Sequence, residues 1–205
     1  MKGNLFIISS PSGGGKGTLI RETLYRVPDV GYSISFTTRK PRRGEVHGQH
    51  YYFVGVEEFE NLIASGEFLE YANVHGNFYG TSRGEVEKEL KLGRDVILEI
   101  DVQGAEIIKR LIPESVSVFI LPPDFETLRE RLIRRGTDNP EVLEVRLRNA
   151  PGEIRRFTEF DYVIVNDEKE RAARQLAAIF YAERARIERM TVAALQVLET
   201  FSENI

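Results

Sequence analysis

The sequence predicts an α/β fold: a parallel sheet with helices on both faces, a phosphate-binding loop (P-loop), an inserted lobe and a small lid. Three observations predict it. Short apolar runs alternate with amphipathic stretches along most of the 205 residues, the pattern of repeated strand–helix units. The first apolar run passes through a glycine-rich turn directly into a helix. Between about residues 35 and 94 the rhythm breaks into short strands and aromatics, as an insertion at one sheet edge would.

The elements follow in order. Asn4–Ser9 is a buried strand, ended by Pro and Gly, and Gly17–Val27 a helix. Tyr32–Thr37 alternates as one strand. Lys40–His50 is a basic, turn-rich loop and Tyr51–Val54 a short strand. Val56–Ser65 is an amphipathic helix with Phe59, Leu62 and Ile63 as its stripe. Phe68–Val74 reads as a strand and Arg83–Leu92 as a helix closed by Gly93. Asp95–Ile100, Val116–Leu121 and Tyr162–Asn166 are core strands. Val102–Leu111, Phe125–Arg134 and Glu141–Phe157 are helices, with a loop over Arg135–Pro140 and a kink or break expected at Pro151–Gly152. One long charged helix is expected from about Glu168 to near the end. The core then comprises residues 1–34, 95–125 and 158–205, the lobe about 35–94 and the lid about 126–157, all within one domain.

Composition narrows the function. Hydrophobic residues make up 41% of the chain, enough for a sizeable core, and no apolar run approaches the ~20 residues of a membrane span. The N-terminal run is too short for a signal peptide. There are no cysteines, which excludes disulfides, thiolate metal sites and cysteine nucleophiles. A cytoplasmic protein is expected. A net charge of −4 argues against general nucleic-acid affinity while leaving local basic clusters for small anions.

The stretch IISSPSGGGKGTLI carries the first chemistry. Glycines let backbone N–H groups converge on phosphate oxygens, the helix start adds its dipole, and Lys16 reaches the outer phosphates. The match to G-x-x-x-x-G-K-[ST] departs at both ends: Ser10 stands at the first glycine and Gly17 at the hydroxyl that ligates Mg²⁺. Thr18 follows one place later. Magnesium is therefore expected to be held mainly by phosphates and water. In SFTTRKPRRGEVHGQHYYF, Arg39, Arg42 and Arg43 cluster beside Ser35, Thr37 and Thr38, ahead of Tyr51; guanidinium forks suit phosphate. In FLEYANVHGNFYGTS, Glu70 is either a strand-edge carboxylate facing water or a buried one that accepts from a two-donor edge such as guanine's. ILEIDVQGA ends a strand with Glu99 and Asp101, placed to orient Mg²⁺ or a hydroxyl, with Asp101 also able to cap the next helix. Arg131, Arg135 and Arg146 read as a flap that lowers positive charge onto a transferring group, whereas Arg129, Arg134 and Arg148 read as solvated surface. The three histidines are read as structural or surface.

These stretches, with RLIRRG and VIVND, stand in one order over Ser9–Asp167, and together they resemble the guanylate kinase family. The resemblance implies a nucleoside monophosphate kinase fold with a GMP-binding lobe, and Mg²⁺-dependent transfer of the γ-phosphoryl group from ATP to GMP, and it leaves open whether dGMP is also an acceptor. It implies that Ser10, Pro11, Ser12, Gly13, Gly14, Gly15, Lys16, Gly17 and Thr18 hold ATP phosphates, with Asn166 near adenine. Arg39, Arg42 and Tyr51 would hold the GMP phosphate. Ser35, Glu70, Thr81 and Asp101 would read guanine, with Tyr79 closing on GMP. Lys16, Arg39, Arg131, Arg135 and Arg146 would form the catalytic set, and Thr18 and Glu99 are candidate Mg²⁺ ligands. Small-molecule partners, with no nucleic acid and no membrane, are expected of a monomer or homodimer. The rivals are a scaffold-type binding module without catalysis, and a related kinase with another phosphate acceptor.

Overall fold

The computed structural model describes residues 2–42, 44–74, 76–135 and 140–202, with Arg135 and Ser202 described in backbone alone. The core is a five-stranded sheet in the order β2-β7-β1-β8-β9. Its strands are β1 (Leu5–Ser9), β2 (Val30–Ser33), β7 (Asp95–Glu99), β8 (Val116–Leu121) and β9 (Tyr162–Val165). Every pairing in it is parallel.

Alternation along the strands builds two faces. Phe6 and Ile8 of β1 and Ile97 of β7 meet Leu19 and Ile20 of α1 (Lys16–Arg26) and Leu176 and Phe180 of α7 (Lys169–Arg184). The rings of Phe6 and Phe180 stack with centroids 3.7 Å apart. Leu5 and Ile7 point the other way, to Val86 and Leu90 of α3 (Arg83–Lys91) and to Ala105 and Ile108 of α4 (Val102–Leu111). Each such fully buried aliphatic or aromatic side chain is worth roughly 1.5–3 kcal/mol. A polar tie closes the amino-terminal edge of the sheet. Buried Asp95 accepts from the Asn4 backbone N–H at 2.7 Å, and its other oxygen accepts from Arg184 Nε at 2.8 Å.

A second sheet, in the order β4-β3-β6-β5, forms the lobe. It comprises β3 (Phe36–Thr37), β4 (Tyr52–Phe53), β5 (Phe68–Val74) and β6 (Asn77–Ser82), with α2 (Val56–Ala64) packed on it through Phe59. The lid side carries α5 (Phe125–Arg135) and α6 (Pro140–Arg155), which share a small cluster of Leu128, Leu132 and Ala150.

Several expectations need correction. Tyr32–Thr37 is not one strand: β2 ends at Ser33 in the core sheet and β3 begins at Phe36 in the lobe sheet. Strand β6 was absent from the sequence reading. Its Gly80 is required by packing, because a Cβ there would lie 3.0 Å from the rings of Phe59 and Phe68. Helix α3 falls inside the expected lobe span but packs on the core sheet. Helix α6 runs through Pro151 to Arg155 without a break, with buried Ala150 packed against Leu128 and Leu132 beside it. The single C-terminal helix is two. Helix α7 stops at Arg184, just past its last buried side chain, Glu183, and α8 (Ile187–Ser202) follows with Ile187, Leu195, Leu198 and Phe201 exposed.

Candidate active site

The phosphate loop, the lobe and the lid enclose a cleft of about 750 Å³. It opens at the carboxyl ends of β1, β7 and β9, the edge where open α/β sheets bind ligands. Ser10, Pro11, Ser12, Gly13, Gly14, Gly15, Lys16, Gly17 and Thr18 line one side. Ser35, Arg39, Arg42, Tyr51, Glu70 and Tyr79 line the other, with Asp101 and Asn166 at its ends.

The loop is shaped before any ligand arrives. Gly13 and Gly15 adopt φ of 89° and 93°, the left-handed region that glycine enters freely. At Gly15 a Cβ would sit 2.2 Å from Asn166 Nδ2. That amide donates to the Gly14 carbonyl at 2.9 Å, so the residue after β9 buttresses the loop. Arg131 spans the same joint, donating to the Gly14 carbonyl at 3.3 Å and to the Asn166 carbonyl at 2.8 Å. Burial lowers the Arg131 pKa. From α6, Arg146 donates to Ser12 Oγ at 2.8 Å, while Glu153 accepts from the Ser12 N–H at 3.3 Å. Helix α6 thus lies against the loop. Arg135 closes α5 in backbone, and its side chain lies outside the described residues, as do Arg43, His75 and residues 136–139. Arg134, expected as plain surface, also lines the cleft.

Lys16 turns toward the sheet, donating to the Ile100 carbonyl at 3.5 Å with Glu99 Oε1 at 3.9 Å. Asp101 caps α4 by accepting from the Gly104 N–H at 3.0 Å, so the capping reading holds, and it still borders the cleft. Among the described residues no three carboxylate or imidazole groups gather into a metal site. One carboxylate, Glu99, faces the loop beside the bare Cα of Gly17. That donor set fits Mg²⁺ carried on phosphates and water, which needs one or two protein carboxylates and no closed cage.

On the lobe, Glu70 is not a strand-edge carboxylate facing water. It is 5% exposed and accepts from Thr81 Oγ1 at 2.6 Å. Burial pushes its carboxyl up to about 7, the Thr81 hydrogen bond pulls it down, and nearby Asp101 adds to the rise. Its other oxygen lies against Gly104, where a Cβ would come within 2.9 Å. Arg39 lies over the rings of Tyr51 and Phe53, at 5.3 and 5.8 Å. It pairs with Glu45 at 2.9 Å, and the Arg42 backbone N–H donates to the same carboxylate at 2.7 Å. Burial raises the Tyr51 pKa.

Groups at this site that the sequence reading missed include Tyr32, which donates to Glu99; Glu45; Glu153; and Arg21, Asp167 and Lys169, which line the cleft. The interval from Arg42 to Glu45 was legible as a turn. The pairings of Tyr32 with Glu99 and of Glu153 with Ser12 depend on tertiary register and left no local signal. A second cavity of about 620 Å³ lies behind α4. Its Arg156 is paired with Glu106 and Glu159, and its Lys109 with Asp161.

Comparison with known proteins places this geometry. The family model described as guanylate kinase matches residues 2–183. A guanylate kinase of Xanthomonas oryzae pv. oryzae (strain MAFF 311018) is 50% identical over 186 residues, covering 91% of this chain and 92% of that protein. One from Symbiobacterium thermophilum is 49% identical over 197 residues, covering 96% and 93%. The crystal structure of guanylate kinase from Anaplasma phagocytophilum superposes with a TM-score of 0.76 at 37% identity, over 92% of this chain and 89% of that one.

Proposed function

This chain belongs to the guanylate kinase family and is a nucleoside monophosphate kinase that phosphorylates GMP; from that premise we propose how its cleft performs the transfer. The observation that carries the proposal is the buried Glu70–Thr81 pair, set across one cleft from a phosphate loop. A carboxylate held away from water needs donors, and guanine presents two side by side, N1–H and the 2-amino group. Adenine's corresponding edge lacks that pair. Ser35 and Asp101 border the same pocket and complete the guanine contacts. Arg39, Arg42 and Tyr51 hold the GMP phosphate, which takes the place Glu45 now occupies on Arg39. Tyr79, beside Tyr51 with ring centroids 5.9 Å apart, closes over the nucleotide.

On the donor side the loop N–H groups and Lys16 hold the β- and γ-phosphates of ATP, with Asn166 at the adenine end. An oxygen of the GMP phosphate attacks the γ-phosphorus as the bond to the β-bridging oxygen breaks, giving ADP and GDP. The acceptor is already an anion, so no strong base is required; the demands are alignment and charge neutralisation. Arg131 and Arg146, already on the loop, supply positive charge to the transferring group, with Arg135 at the end of α5 as a third. Magnesium, when bound with ATP, neutralises charge on the β- and γ-phosphates; Glu99 would hold it, largely through water, with Thr18 alongside. Closure of lobe and lid keeps water from the γ-phosphate.

ADP and GDP production from ATP with GMP, AMP, CMP and UMP in turn tests the proposal. GMP-dependent formation of both products is expected. Equal turnover with AMP would refute the role given to Glu70. A folded protein that binds GMP without turning over would be a binding module.

A further inference from the structure

Three residues far apart in sequence meet beside the phosphate loop. Gly17 stands where the general loop pattern carries a serine or threonine hydroxyl. Glu99 ends β7. Tyr32 lies on β2, where it pairs in register with Ile97. Glu99 is two residues beyond Ile97, so both side chains project on the α1 face of the sheet. Tyr32 Oη donates to Glu99 Oε2 at 3.0 Å, while Glu99 Oε1 stands 3.9 Å from Lys16 Nζ.

This carboxylate lies next to the place a side chain at position 17 would take. A Cβ on Gly17 would lie 3.6 Å from Oε1 and 3.7 Å from Oε2. That is ordinary contact for a methyl group, and the hydroxyl of a serine, one atom further out, would come within hydrogen-bond reach of the carboxylate. The glycine and the glutamate are therefore complementary: where position 17 offers no hydroxyl, the Glu99 carboxylate presents its oxygens beside it. Glutamate is also among the side chains with the most rotamer freedom to lose on being fixed. A rigid ring packed against the core, with its hydroxyl on one carboxylate oxygen, removes that freedom before ligand arrives.

We propose that Tyr32 is a positioning residue for the cation side of the ATP site: its hydroxyl fixes Glu99 over Gly17, so that a carboxylate oxygen serves where the loop pattern otherwise uses a Ser/Thr hydroxyl. This rests on the reading that Mg²⁺ and ATP occupy the phosphate loop.

The test is ATP binding by calorimetry without GMP, in EDTA and across a Mg²⁺ series, for the parent, Tyr32→Phe, Glu99→Asp and the double variant. Tyr32→Phe is expected to reduce the Mg²⁺-dependent gain in ATP affinity about fivefold, which is about 1 kcal/mol, and to leave affinity in EDTA unchanged. In the Glu99→Asp background, whose shorter side chain no longer reaches the phenol, Tyr32→Phe is expected to do nothing. A loss that is equal with and without Mg²⁺, or no loss at all, overturns the proposal. So does a Tyr32 effect that persists in Glu99→Asp, or a Gly17→Ser/Glu99→Asp protein whose Mg²⁺ dependence still needs Tyr32. Because GMP is absent, failure of GMP as acceptor in a separate turnover assay would strike the family reading and leave this comparison intact.

Discussion

Lowering the pH from 8 to 6 is expected to weaken GMP binding about tenfold through one side chain, Glu70. Its carboxyl is pushed up to about 7 by burial. In the free protein it is mostly ionised at pH 8 and only about one part in ten ionised at pH 6. Guanine's two donors need the ionised form, so binding below pH 7 must release a proton. The same side chain acts on stability with the opposite preference. Its folded pKa lies above the ordinary value of 4.5, so the stability it contributes is present below pH 4.5 and lost as pH rises through about 7. Above that, ionised Glu70 costs the ligand-free protein about 3 kcal/mol, taking about 1.4 kcal/mol per pH unit. Glu70→Gln keeps an acceptor for Thr81 but carries no charge. It is expected to stabilise the free protein by about 1–3 kcal/mol at pH 8, by under about 1 kcal/mol at pH 5, and to weaken GMP binding. The assay is titration calorimetry at pH 6, 7 and 8 in buffers of different ionisation enthalpy, with urea melts of both proteins. The GMP phosphate also titrates, near pH 6, but identically in both, so their difference isolates Glu70. Parallel pH profiles for parent and variant, or undiminished GMP affinity in Glu70→Gln, would refute the reasoning.

Three further outcomes are expected. Gly15→Ala should unseat Asn166 and strain a left-handed residue, with a loss of about 2–3 kcal/mol in stability and a larger loss in ATP affinity; urea melts and ATP titration check it. Lys16→Ala should abolish detectable turnover in the coupled ADP assay, while GMP binding by calorimetry stays within about threefold, since removal of a charge-neutralising group strikes the transfer step. Asp95→Asn leaves Arg184 facing a neutral amide at a buried position, and should lower stability by about 2–3 kcal/mol in denaturant titration without changing the KM for GMP.

Four of the five core strands and the phosphate loop were legible because their signals are local, whereas β2 was merged with β3 of the lobe sheet. Short apolar runs, a glycine run and a lysine at a helix start need no knowledge of distant residues. The arginine clusters and Glu70 were legible as oddities, polar groups whose neighbours made them expensive to leave unexplained. What failed to show was set by distant contacts. Asn77–Ser82 carries Asn and Gly and was assigned no element, yet Gly80 is there to let two phenylalanine rings approach. No glycine or proline marks the end of α7, which stops where its buried face stops. Proline 151 should break α6 on local grounds, and the helix persists with its neighbour Ala150 in the lid cluster. Tyr32 read as a strand residue and nothing more, because its partner is chosen by the register of β2 on β7.

The division of residues 30–37 between two sheets has a mechanical meaning. One short length of backbone carries Tyr32, anchored to the donor-side carboxylate, and then Ser35 and Thr37, which travel with the acceptor lobe. Any swing of the lobe about Ile34 therefore pivots next to the anchor of Glu99. A lobe swing on GMP binding, if it occurs there, would show in structures with and without GMP as rotation of φ and ψ at Ile34 and Ser35, next to the Tyr32–Glu99 hydrogen bond.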